Sequence, residues 1–280
     1  MKNQLVCFHA LHSICEKHLA TFVLNWRTFC VSLIGIFLVI QANAQTQSQV
    51  PGLVITLSAS ASNRIELRKA LEAESLPRLE KYQKDGLFES FCLLFSRYAD
   101  TAQWDAMLIL NFKDSSQMGR WKAIESVNPA GLGAHTVQLL NSIQAAPVEL
   151  LRREQDQVAP TKPVVLVIPY LSLVSATDYL NYADGYVIPQ FSGWIKETML
   201  SKFSLYGSSF PASRPWSHLI IQEYRSDESL AMRSLIVSKV RTQLREIPQW
   251  RALSDSKVKL REELRAVIAD DLALESKNVR

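Results

Sequence analysis

Residues 187–200 read VIPQFSGWIKETML, and residues 75–88 read SLPRLEKYQKDGLF. Both have the apolar spacing of an amphipathic helix, yet each holds a proline, Pro189 and Pro77, in its interior. There the ring removes a backbone hydrogen bond and clashes with the preceding turn, at a cost of about 3 kcal/mol in a regular helix. A kink or a break is expected in both. So unfavourable a feature occurring twice, 112 positions apart, points to duplication.

An ungapped shift of 112 aligns the rest as well. Leu79 falls on Phe191, Tyr82 on Trp194, Lys84 on Lys196 and Asp85 on Glu197. Further on, Phe91 meets Phe203, Leu93 meets Leu205, Tyr98 meets Phe210 and Trp104 meets Trp216. Leu108, Ile109, Phe112 and Lys113 fall on Ile220, Ile221, Tyr224 and Arg225.

The local signals run in the same order in both halves. Residues 53–57 and 164–168 are short, branched, apolar runs, as buried strands are. Asn63 and Ser175 follow, each with an acid three residues on (Glu66, Asp178), the pattern of an N-cap with a reciprocal carboxylate. Gly86 suits a left-handed helix end. Two strand-like segments come next, residues 88–98 and 104–112 in the first half, 201–210 and 216–224 in the second. Strict alternation would put Trp216, His218, Ile220, Gln222 and Tyr224 on one face. Both faces are largely apolar, which predicts a sheet covered on both sides. A second helix is expected after Asp114 and after Ser226, running over residues 227–246 in the second half, with final strands at 148–153 and 264–270. The polar run REQDQVAPTKP, residues 153–163, reads as a linker.

This order, β-α-β-β-α-β twice, is that of two ferredoxin-like units, an α+β class. With the echoes P-x-x-x-x-[YW]-x-K-[DE] and W-x-x-[ML]-[LI]-I, the chain resembles a tandem fusion of the dimeric α/β barrel superfamily over residues 50–275. The resemblance implies repeats at 45–154 and 164–280 that form one intramolecular barrel with a cavity between its sheets. It also implies a monomer with a pseudo-dimeric core. The superfamily includes cofactor-free monooxygenases, haem enzymes such as chlorite dismutases and dye-decolourising peroxidases, and many members with no known activity. A haem-binding member would be expected to carry a proximal histidine in the helical part of its second repeat. Residues 227–263 contain none.

The 280 residues are 48% hydrophobic and 21% charged, a globular composition. Residues 29–40 (FCVSLIGIFLVI) follow Arg27 and precede Ala42-Asn43-Ala44, the parts of a secretory signal peptide over residues 1–44, cleaved after Ala44. The apolar run is short for a bilayer span. Export to the periplasm of a bacterium or beyond is the expectation, with no membrane association after cleavage. Without the leader, 28 basic and 26 acidic residues remain, a balance of +2 that leaves no footprint for nucleic acid. Cys92 is then the sole cysteine, and in its FCLLF context a buried, inert thiol is expected.

Chemistry is sparse. The mature chain has two histidines, His135 and His218, and no zinc, calcium, nucleotide or nucleophile-elbow motif, so no cofactor is expected. His218 as a sheet-face histidine with a local hydrogen bond, and Trp104 and Trp216 as core, are the ordinary readings. Tyr179, Tyr182 and Tyr186 recur at helical spacing where the first half has Leu67, Ala70 and Glu74, so the hydroxyl-bearing surface belongs to the second half alone. If a small molecule binds, the candidates to line its pocket are Trp216, His218, Tyr206, Tyr170, Tyr224 and Trp104. The charged cluster at residues 257–265 reads as a solvated face. Three functions stay open: a small-molecule binding or non-catalytic module, a cofactor-independent oxidoreductase or isomerase, and an interaction protein whose barrel is filled by its own side chains.

Overall fold

The computed structural model describes residues 50–278 apart from positions 101 and 161; the leader expected at 1–44 lies outside them. The first half comprises β1 (Val50–Ala59), α1 (Arg64–Ala70), α2 (Leu76–Lys84), β2 (Ser90–Ser96), β3 (Ala106–Asn111), α3 (Ser115–Glu125), α4 (Ala134–Gln138) and β4 (Leu140–Gln155). The second comprises β5 (Val164–Ser172), α5 (Ala176–Tyr182), α6 (Ile188–Lys196), β6 (Leu200–Ser208), β7 (His218–Tyr224), α7 (Asp227–Ala231), α8 (Arg233–Leu244), α9 (Pro248–Ser256), β8 (Arg261–Glu263), β9 (Val267–Asp271) and α10 (Leu272–Asn278). No helix among the described residues is long and apolar enough to cross a membrane.

The prolines neither break nor sharply end their helices. A single π-turn, Leu71–Ser75 in one half and Ala183–Val187 in the other, carries the chain past them. The Leu76 N–H bonds the Leu71 carbonyl and the Ile188 N–H bonds the Ala183 carbonyl, each five residues back. Pro77 and Pro189 then sit in the first turn of α2 and α6, where the missing N–H and the fixed φ are tolerated. The widened turn replaces the expected kink.

All strand pairings are antiparallel, and the order β7-β6-β4-β1-β3-β2-β9-β5 closes through β5–β7 into an eight-stranded barrel, with β8 added beside β9 on the free edge of β5. Strands of the first half run β4-β1-β3-β2, and those of the second run β9-β5-β7-β6. The halves join at β4–β6 and β2–β9. Closure leaves no exposed long edge, and eight strands give a lumen that side chains can fill.

The two apolar faces of each strand serve different cores. Leu53, Ile55 and Leu57 of β1 face the first helical layer, with Leu67, Leu71, Leu79 and Trp121, while Val54 faces the lumen. Val164, Leu166 and Ile168 of β5 face the second layer; Val165 and Val167 face the lumen beside Val54, Leu94, Met107, Ile109, Leu219 and Ile221. The lumen is packed at mid-height.

Several local expectations change. Asn63 makes no cap bond, and its side chain reaches the Leu139 carbonyl instead, whereas Ser175, Asp114 and Ser226 cap as expected. The helix expected over 227–246 is divided at Met232 and followed by α9, because Pro248 suits a helix start and not a continuation. The final strand expected at 148–153 is the middle of the 16-residue β4, and that at 264–270 begins only at Val267. Cys92 is half-buried at the lumen face, where its thiol donates to Asp271 Oδ2 at 3.1 Å. Burial, reinforced by Asp271, holds that thiol well above the usual range.

Candidate active site in the second helical layer

The second layer differs in kind from the first. Where Leu67, Leu71, Leu76 and Leu79 fill the first, Tyr179, Tyr182, Tyr186, Trp194 and Trp250 fill the second. Tyr182 and Tyr186 stack at 5.2 Å and Tyr186 stacks on Trp250 at 5.0 Å. The outer helices approach closely because two glycines leave room. A Cβ on Gly193 would come within 2.6 Å of Val240, and one on Gly185 within 2.6 Å of Leu253. The second layer thus gains α8 and α9 as a roof.

Within it, the hydroxyls of Tyr182 and Tyr186 and the indole N–H of Trp194 are buried without a hydrogen-bond partner, and that of Tyr179 has only the Arg261 guanidinium beside it. A buried polar group left unsatisfied costs about 1–3 kcal/mol. Three such groups, of a kind that protein interiors almost always pair, set this layer apart from the first. Trp250 is satisfied, its N–H donating to the Tyr186 carbonyl at 3.1 Å.

At one rim of the layer the end of β5 lies between the start of β7 and the short β8. Register places Tyr170 opposite His218 on one side and Glu263 on the other. The Tyr170 hydroxyl donates to Glu263 Oε2 at 3.1 Å. Half-buried Arg261 lays its guanidinium over the Tyr170 ring at 4.1 Å and near that of Tyr182 at 5.6 Å. Among the described residues no carboxylate comes within 4 Å of it, which leaves a cation with aromatic faces and no ion pair. Burial alone would lower the Arg261 pKa, but Tyr170, Tyr182, Tyr179 and Glu263 more than offset it and raise it.

His218 stacks on Tyr179 at 3.6 Å and its Nδ1 lies 3.0 Å from Ser217 Oγ. Burial lowers its pKa to about 4, so the ring is neutral at neutral pH. Burial pushes Tyr179 up to about 12, with Arg261 pulling the other way, and raises Tyr170 and Tyr182 further. The rim therefore juxtaposes a neutral imidazole, a fixed cation and protonated phenols. Such a set can accept a proton from a ligand, stabilise the resulting anion and donate hydrogen bonds to its oxygens.

The six residues expected to line one pocket fall into three places. Tyr170 and His218 are in this rim, and Tyr224 is deeper in the same layer, its hydroxyl donating to Gln222 Oε1 at 2.9 Å and accepting from Arg233 Nε at 3.0 Å. Trp104 and Trp216 instead line a cavity of about 320 Å³ at one mouth of the barrel, with Gln103, Gln144, Thr56 and Met107. Tyr206 faces the lumen toward the opposite mouth, donating to Asn111 Oδ1 at 3.0 Å. Alternation from Trp216 to His218 fails at Ser217, just before β7, whose N–H bonds the Tyr170 carbonyl and whose carbonyl accepts from the Ser208 N–H, each at 2.8 Å. Trp104 breaks step before β3 in the same way, packing on the lumen while Ala106, Leu108 and Leu110 face the helices.

Arg261 is the residue that sequence reasoning passed over. It lies in a three-residue strand among alternating charges, too short to show a period. Its one signal is proximity in sequence to Glu263, which a solvated face explains equally well. Among the described residues no three or more His, Cys, Asp or Glu side chains gather into a group that could hold a metal ion.

No family model matches the sequence, and neither does any curated protein. Solved structures do match. A "putative monooxygenase" from Lactobacillus acidophilus NCFM is 11% identical with a TM-score of 0.50, covering 80% of this chain and 95% of its own. A second "putative monooxygenase", from Fusobacterium nucleatum, is 12% identical with a TM-score of 0.50, covering 81% and 94%. A mutant chlorite dismutase from Candidatus Nitrospira defluvii in complex with cyanide is 12% identical with a TM-score of 0.46, covering 82% and 95%. The chain shares the barrel fold of the two monooxygenase structures.

Proposed function

We propose that the protein is a cofactor-independent oxidoreductase that acts on a small, planar, enolisable aromatic molecule at the rim of the second helical layer. The observation that carries this reading is Arg261, a cation without a carboxylate, laid over the Tyr170 and Tyr182 rings in a layer that holds partnerless hydroxyls. A phenolate or enolate fits both deficits, since its charge pairs with the guanidinium and its oxygens accept from the hydroxyls. Neutral His218 is the base in reach. With dioxygen as co-substrate, an aromatic methylene gives up one proton to the base. The carbanion reduces dioxygen, one oxygen atom enters as a ketone and the other leaves as water.

Haem, which the superfamily resemblance allows, does not fit the residues present. His218 is stacked on Tyr179 and engaged by Ser217, and His135 is in the first half, 2.7 Å from Glu74 Oε1.

The reading includes a duplicated ferredoxin-like unit and export after cleavage at Ala44. The duplication is supported by the matching strand orders, the π-turns 112 residues apart and the parallel placement of Trp104 and Trp216. A second functional reading, binding of a neutral ligand without catalysis, is favoured by the cavity between Trp104 and Trp216, whose lining carries no charged side chain. Oxygen uptake with anthrone as probe separates the two. The oxidoreductase reading expects one dioxygen consumed per anthrone, and a loss of about tenfold or more in Arg261→Met, the scale of one charged hydrogen bond. Uptake no faster than in buffer would overturn it.

A further inference from the structure

We propose that the mouth of the barrel opposite the tryptophans is a binding site for a small organic monocarboxylate, gripped by Arg153 and Lys202. A cavity of about 190 Å³ opens there, lined by these two cations, one carboxylate (Glu223) and the buried polar side chains of Tyr206, Ser204 and Asn111. It is a different place from the tyrosine layer, on the other face of the sheet.

Both cations reach the lumen through irregularities in the strands that carry them. In the β4–β6 ladder the register shifts between Leu150 and Arg152. Leu150 packs in the lumen, Leu151 packs in the outer layer and Arg152 pairs with Asp184 outside at 2.7 Å, so the extra residue turns Arg153 inward. In the β6–β7 ladder the shift falls between Leu200 and Lys202. Leu200 faces the outer layer, and without the shift Lys202, two residues on, would face it too. A bulge re-aims side chains at the expense of ladder bonds, and two that deliver cations to one cavity are features of the site.

The charges are left incomplete. Arg153 meets only neutral partners, with Nε donating to Ser204 Oγ and Nη2 to Tyr206 Oη, each at 3.3 Å. Glu223 is engaged by the Ser201 hydroxyl at 2.5 Å and stands 3.9 Å from Lys202. Glu223 and the buried Asp271, to which Cys92 donates, both act on Lys202, while Arg153 has no carboxylate partner and is the cation left for a ligand. A carboxylate matches the planar fork of Arg153, and the volume limits it to a small acid, below the usual range for drug-sized ligands.

The test is calorimetric titration of the full chain with pyruvate and benzoate, against phosphate and chloride at equal ionic strength. Saturable binding of a carboxylate, one per chain, is expected. It should weaken about tenfold or more in Arg153→Gln and in Lys202→Gln, and be unchanged in Arg152→Gln, on the outer face. If Arg153→Gln fails to fold, Arg153→Lys keeps the charge without the fork and should still bind more weakly than the wild type. No carboxylate binding in the wild type, binding that these variants leave untouched, or tighter binding of phosphate would each overturn the proposal. Arg261→Met should leave this site intact, so its outcome is separate from that of the oxidoreductase.

Discussion

At the scale of single residues, the second layer is shaped by groups whose charge burial has decided. His218 titrates near 4 when folded against a reference of 6.5, because a buried imidazole resists protonation. Its folded pKa is depressed, so between those values the unfolded chain binds the extra proton. The contribution to stability is full above about pH 6.5 and lost as pH falls toward 4, about 3 kcal/mol in all. Urea unfolding of wild type and His218→Phe across this range should show that difference in slope; parallel curves would place the ring in water. The six candidate residues were legible as aromatic and polar positions on strands. What sequence could not carry was the loss of alternation at Ser217, which sends Trp216 to the lumen and His218 to the layer. That break falls where the backbone bonds Tyr170 and Ser208, distant in sequence.

At the scale of elements, close helix contact in the second layer rests on glycine. Gly193→Ala should destabilise by about 1–3 kcal/mol, because its Cβ would meet Val240 at 2.6 Å. Gly119→Ala, in the interior of α3 with nothing within 4 Å, should stabilise by about 0.5–1 kcal/mol. Thermal melts of the two variants should move in opposite directions. Order and type of the main elements could be read from period and capping residues. The π-turns could not, since a proline in a helical pattern is equally consistent with a kink, and only the tertiary layer that holds both flanks in line selects the widened turn. β8 escaped as well, being a three-residue strand defined by its partner β5.

At the scale of the molecule, each half supplies four strands and neither encloses the lumen alone. Separately expressed halves would expose the lumen face of Val54, Met107 and Ile109, or of Val165, Val167, Leu219 and Ile221, patches large enough to drive association. Size-exclusion chromatography should find each half self-associated, and well-behaved monomers would speak against a shared barrel. The barrel was foreseeable because two-sided apolar strands demand two covers; which layer holds chemistry was foreseeable only as an asymmetry between Tyr179, Tyr182, Tyr186 and their aliphatic or acidic counterparts.

The claim that Arg261 and the partnerless hydroxyls hold an aromatic anion is tested most directly by titrating the protein with anthrone under argon and following the absorbance of the enolate. The account predicts a saturable enolate band, one per chain, at a pH where free anthrone remains in its keto form, and its loss in Arg261→Met. No enolate band in the wild type, or one that Arg261→Met leaves at full strength, would contradict it.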